Sequence, residues 1–350
     1  MAHSIRPMMA GAALLALAAC SNSQGPTQDQ TRFDARKVKD GLATVEAVGA
    51  SPVLRSFGAL GGQIGSGVPA GAPVQDRFVA VVRDIAGIVR PATQVALVPV
   101  IRSTMLGKTL VYDAVAKKYV PSDRAGAPAN GVRFVLYEAD ANGQPDPTRE
   151  IGTSDLSDEK AASPTSAGLR LKVTSKGVTY LDYSFDVTGS IAAAVVNVKG
   201  YMSDGTNRVD FEVATTGQLF GRGGTVTVDA KLEVAAQQFK VVAKISGQAD
   251  GSAGAGEVNL TVTAGADVLS IAARTTGGTV DASVTANGKR FATITGPVAA
   301  PVIKGDGGRD LTAEEMTALG EVFKFSEGIF KLIGGLLAPA GALLMIGLGL

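Results

Sequence analysis

Tryptophan is absent from the 350 residues, and histidine and cysteine each occur once, as His3 and Cys20. Beyond residue 20 the chain therefore has neither imidazole nor thiol. That excludes Ser-His-Asp and Cys-His nucleophiles, His or Cys zinc sites and histidine-held haem from the body of the protein. An internal disulfide is excluded too, so the fold must rest on its core. Aromatic residues make up only 5% while glycine reaches 44 residues, which suits tight turns and small side chains rather than an aromatic-lined site. Neither sign of charge dominates: 33 Lys and Arg stand against 32 Asp and Glu. No basic footprint for nucleic acid and no acidic tail follows from such a balance. Carboxylate pairs, Ser-Lys dyads and oxygen-ligated calcium remain open.

What is present begins at the first residues. Residues 1–19 carry Arg6 and no acidic residue, run apolar from Met8 to Leu17 and end in small residues. This is the make-up of a secretory signal peptide, with an apolar core too short to span a bilayer. At Leu17-Ala18-Ala19-Cys20 the sequence resembles the lipobox of bacterial lipoproteins. The resemblance implies cleavage before Cys20, a diacylglycerol on its sulfur and an acylated amine, with His3 and Arg6 lost. Two or three acyl chains, at ~0.8 kcal/mol per buried CH₂, anchor a protein where one does not. Ser21, where the family's inner-membrane proteins carry Asp, implies the outer membrane facing the periplasm. A plain secretory signal followed by a chance cysteine, or an internal start site, is the alternative. Residues 20–31 are polar with Gly25 and Pro26 and read as a flexible tether.

Residues 32–106 predict a helical N-terminal region. Phe33, Val38, Leu42, Val45 and Val48 fall on one helical face until "GASP" breaks the run. A glycine-rich stretch follows, then a second helical pattern over 76–90 that Pro91 stops.

Residues 107–298 read as an antiparallel β-meander. A hairpin is expected in "KTLVYDAVAKKYV" and a strand in "VRFVLYEA", then a long polar loop through residue 166. From Leu169 the period is two, through roughly ten strands to about Ile294, with "SKG", "SDGTN", "GRGG", "TTGG" and "ANGK" between runs. The expected class is mainly β with flanking helices (α+β): a large, curved β-meander, half-barrel or open barrel, with one apolar face covered by helices. An outer-membrane barrel is set aside because aromatic girdles are missing.

The shared apolar face is the candidate ligand site. Its proposed residues are Leu181, Tyr183, Phe185, Val187, Val209, Phe211, Val213, Phe239 and Val241. Alanines at 192, 194, 230, 243, 273 and 282 in the same phase leave room for another body. An uncovered face of this size would drive association.

Residues 299–350 supply a C-terminal helix and apolar tail. Thr312 and Glu315 fit a capping box, with Leu311 and Met316 in staple positions. Leu319, Val322, Phe323, Phe330 and Ile333 form a stripe, and Leu332–Leu350 is uncharged. The tail can span a membrane, lie on it or pack under the sheet.

Candidate chemistry is sparse. Glu138, Asp140, Asn142 and Asp146 surround a glycine, but the twelve-residue calcium pattern and its closing glutamate are missing, so a turn is expected. "SDLSDEK" reads as a solvated linker and "GRGGTV" as a turn between strands. No catalytic residue, metal site or cofactor is assigned. The expected function is that of a non-catalytic, lipid-anchored envelope protein whose sheet binds an apolar ligand such as lipid. In outline the chain is similar to the half-barrel lipoprotein-carrier and lipid-binding lipoprotein families. Its expected partners are a membrane, through lipidated Cys20, a lipid or other apolar ligand, and an envelope protein, but not nucleic acid. One alternative is a structural accessory of an envelope assembly, its sheet filled by its own C-terminal helix. A carboxylate-dependent hydrolase is a third.

Overall fold

The structure is a computed structural model. It describes residues 35–62, 101–139, 144–163, 166–190, 193–217, 225–248, 255–297, 300–313, 315, 316 and 319. The period-two pattern forms one curved, open sheet of fifteen strands. These are β1 (Lys108–Asp113), β2 (Lys118–Ser122), β3 (Gly131–Ala139), β4 (Pro145–Ser163) and β5 (Ser166–Ser175). Next come β6 (Val178–Ser190), β7 (Ala193–Ser203), β8 (Arg208–Gly217), β9 (Thr225–Val234) and β10 (Phe239–Gln248). The last are β11 (Ala255–Ala264), β12 (Asp267–Thr276), β13 (Thr279–Ala286), β14 (Lys289–Pro297) and β15 (Val302–Gly305).

From β3 to β15 each strand pairs antiparallel with its neighbour in sequence. Tight turns make this possible. Lys176 and Gly177, Gly277 and Gly278, and Asn287 and Gly288 all have positive φ, the backbone of two-residue hairpin loops. The β1–β2 hairpin is present as expected, but β1 lies parallel to β3, the one parallel pair in the ladder.

Two expectations are corrected. The long polar loop before residue 166, with its linker "SDLSDEK", is strand β4, paired to β3 on one side and β5 on the other. Its inward positions include Gly152, Ser154 and Leu156, so the apolar alternation is faint, and Asp155 alternates with them on the polar face. There Asp155 receives two hydrogen bonds from Arg133, at 2.6 and 2.7 Å. The sheet also runs past residue 298, because β15 pairs with β14.

Register aligns side chains into rows across the sheet. Leu171, Tyr183, Gly200, Phe211, Leu232 and Val241 are consecutive cross-strand partners from β5 to β10. The other face is polar and carries directly opposed charges, such as Lys199 with Glu212 and Arg274 with Glu257. Such exposed pairs contribute little stability, but they keep this face in water. Near β3 the second face holds a small cluster of Tyr112, Val135 and Tyr137.

Helices cover the apolar face. In α1 (Ala35–Gly49), Val38, Val45 and Val48 are buried and Leu42 is half-buried, all within the main core. Phe33 lies outside the described residues. "GASP" ends α1 and starts α2 (Pro52–Gly62), where Ser51 Oγ accepts from Leu54 N at 3.4 Å and Pro52 takes the first helical position. The start of the glycine-rich stretch is thus helical through Gly62. The helix expected over 76–90 lies outside the described residues. The capping box forms, with Thr312 N donating to Glu315 and Glu315 N to Thr312 Oγ1. Leu311 packs against the main core, Met316 is 45% exposed, and Leu319 is buried in the core. The remaining stripe residues and Leu332–Leu350 lie outside the described residues.

Candidate functional site

Each of the nine predicted face residues is found on the expected side of the sheet. Leu181, Tyr183, Phe185 and Val187 come from β6, Val209, Phe211 and Val213 from β8, and Phe239 and Val241 from β10. All belong to one core cluster, and none is more than 5% exposed. Strands β7 and β9 complete the surface between them with Val196, Val198, Met202, Val228 and Leu232. Of the six alanines expected on this face, Ala230, Ala243 and Ala282 are buried and Ala273 is half-buried, while Ala192 and the side chain of Ala194 lie outside what the structure describes.

The chain covers this face with its own residues. α2 lies against β3, β4, β5 and β6, while α1 lies against β7, β8, β10 and β11. Gly41 allows α1 to approach most closely, since a Cβ there would stand 2.2 Å from the Phe239 ring. Polar ties hold the helices at their margins. Lys37 Nζ reaches Asp267 Oδ2 at 3.2 Å, and Gln237 Nε2 donates to Thr44 Oγ1 at 2.6 Å. On α2, Ser56 Oγ donates to the Tyr137 carbonyl at 2.5 Å. Asp267 also accepts from Asn287 Nδ2 at 3.2 Å, so the α1 tie meets an anchored carboxylate.

At the centre of the face two rings meet across a glycine. Tyr183 and Phe211 both pair with Gly200, and their ring centroids are 5.8 Å apart at 63°. A Cβ on Gly200 would come within 2.2 Å of the Asp182 carbonyl oxygen and 2.3 Å of Tyr183 Cβ. The edge-to-face pair thus covers backbone that no side chain could shield.

The Tyr183 hydroxyl has no hydrogen-bond partner, nor have those of Ser154 and Thr109, all three buried. A buried hydroxyl left unpaired costs about 1–3 kcal/mol. Burial also pushes the Tyr183 phenol well above its ordinary pKa, so it stays a neutral donor. Nothing in the sequence marks this hydroxyl as unpaired; the signal is purely three-dimensional.

Other sequence candidates do not assemble. Glu138 is taken up by Arg149, and Asp146 accepts from Thr148 N and Oγ1 at 3.0 and 2.6 Å. Asp140 and Asn142 lie outside the described residues, among which no group of three His, Cys, Asp or Glu could hold a metal. Cys20 with its lipobox, and "GRGG", also lie outside them. No described helix is long and apolar enough to cross a membrane.

Comparison with known proteins adds no relative: no family model matches the chain, and neither a curated protein nor a solved structure does so significantly.

Proposed function

We propose that the chain is a non-catalytic, lipid-anchored envelope protein whose sheet holds an apolar ligand such as lipid. The anchor is Cys20, and the location is the outer membrane, facing the periplasm. One observation carries the reading: among the described residues, a broad apolar sheet face is covered by two short helices rather than by a second sheet. Lifting a helix breaks its contacts with the sheet and a few polar ties at its margins, and leaves the strand ladder whole. Helical covers of this kind suit a face that must open and close.

The test is direct. The chain carrying Cys20→Ser, purified without detergent and extracted with organic solvent, should yield lipid in near-stoichiometric amount by mass spectrometry. A lipid-free extract, with no uptake from lipid vesicles, overturns the reading. For the anchor, labelled palmitate should appear on the wild type and not on Cys20→Ser; an unlabelled wild type removes the lipoprotein assignment.

A second reading is favoured by the depth of burial. The face is already filled by the chain, and Leu319 of the C-terminal segment belongs to the same core. On this reading the protein is a structural accessory of an envelope assembly. Deleting residues 332–350 should then release a protein partner or expose apolar surface. A truncated chain that stays monomeric and keeps its partners argues against it.

A further inference from the structure

We propose that the Tyr183 hydroxyl is the polar anchor of the apolar face, and that the ligand it takes is an acylated lipid presenting an ester or amide carbonyl. This inference rests on the reading that the face accepts an apolar ligand, and it names the chemical class.

The argument starts from a group that folding leaves unused. Tyr183 is 2% exposed, and its hydroxyl has no hydrogen-bond partner. Its surroundings ask only for a ring. Phe185 lies two residues along the same strand and Phe211 two strands away, both buried on this face without an oxygen. Phenylalanine at 183 would fill the space without stranding a polar atom, so the hydroxyl is surplus to packing. A phenol held neutral by burial is a hydrogen-bond donor, and its complement is an acceptor carried on an otherwise apolar body.

The rest of the face narrows the acceptor. Among the described residues the buried charged group is Asp267, at the margin beneath Lys37, and no buried lysine or arginine stands ready for a phosphate. A second unpaired hydroxyl, Ser154, lies on the same face two strands from Tyr183. The face thus offers neutral donors in an apolar field. That combination fits the junction between acyl chains and head, where carbonyls sit, and leaves a charged headgroup outside.

The experiment is an internal competition. The chain carrying Cys20→Ser is incubated with vesicles containing equal amounts of a diacyl phosphatidylethanolamine and its dialkyl ether analogue of the same chain length. Protein is separated from vesicles, and both bound lipids are counted by mass spectrometry. The expected result is enrichment of the ester lipid by about fivefold, the effect of one neutral hydrogen bond. Tyr183→Phe should take up both lipids with a ratio near one. Equal uptake by the parent, or a preference that survives in Tyr183→Phe, overturns the anchor while leaving the apolar-ligand reading in place. Uptake of neither lipid overturns both. Lipid-free Tyr183→Phe should melt no lower than the parent; a lower melting temperature would give the hydroxyl a structural role and overturn the proposal.

Discussion

Gly41 and Phe239 are in direct register: a methyl group on Gly41 would lie 2.2 Å from Cδ2 of the Phe239 ring. Helix α1 therefore meets β10 backbone against ring, and its glycine is a spacer rather than a defect. Alanine at 41 gains about 1 kcal/mol in helix propensity but forces a buried ring to move, at about 1–3 kcal/mol. Gly41→Ala should lower stability by up to about 2 kcal/mol and raise binding of an apolar dye as α1 lifts. Chemical denaturation and dye fluorescence check both.

Gly200 is more constrained, because the atoms around it are backbone. With the Asp182 carbonyl 2.2 Å from where its Cβ would stand, Gly200→Ala should cost about 3 kcal/mol or more. Differential scanning calorimetry of the variant beside Gly58→Ala is the comparison, since a Cβ at Gly58 meets nothing within 4 Å. Similar losses at both positions would contradict the geometry.

Acid should act at the start of the C-terminal helix. Glu315 is held down to a pKa of about 2, first by the hydrogen bonds from Arg309, at 2.6 and 2.7 Å, and then by Thr312 N. A carboxyl whose folded pKa lies below its unfolded value of 4.5 contributes stability that is complete above 4.5. That contribution disappears as pH falls through about 2. Glu315→Gln should be less stable than the parent at neutral pH, and the difference should close between these two values. Urea unfolding at stepped pH measures it.

Alkali should act through buried tyrosines. Tyr183 and Tyr119 are both pushed above the ordinary value of 10.0, chiefly by burial. The unfolded chain releases these protons first, so stability is full below pH 10 and falls as pH rises beyond it. Tyr183→Phe should show a shallower decline, read from denaturation midpoints. Phenolate absorbance at about pH 11 should report fewer ionised tyrosines in the folded chain than its six tyrosines would give unfolded.

Much of this architecture could be read from residue order, and the exceptions have physical reasons. The alternation from Leu169 onwards yields strands β5 to β14 because one wet face and one dry face impose a strict period. Strand β4 escaped because Gly152 and Ser154 interrupt its inward apolar positions and its register shifts twice against β5. The parallel pairing of β1 with β3 is a choice of partner, which no local pattern encodes. The α1 stripe was legible at Val38, Val45 and Val48, yet the strands it lies on, β7, β8, β10 and β11, were not. Tyr183 was placed on the correct face, while the state of its hydroxyl depends on what its neighbours lack.

The order of strands in the sheet bears on how the protein assembles. Hairpins from β3 to β15 close over short loops, so the ladder can zip from any turn at small entropic cost. Docking α1 is a different event, because Lys37 and Asp267 are 230 residues apart in sequence. By loop-closure entropy, the element that closes the longest loop should be the last to be held and the first to be released. Partial unfolding that begins there would strip the cover and leave the ladder standing, so hydrogen exchange should be faster in α1 than in the central strands.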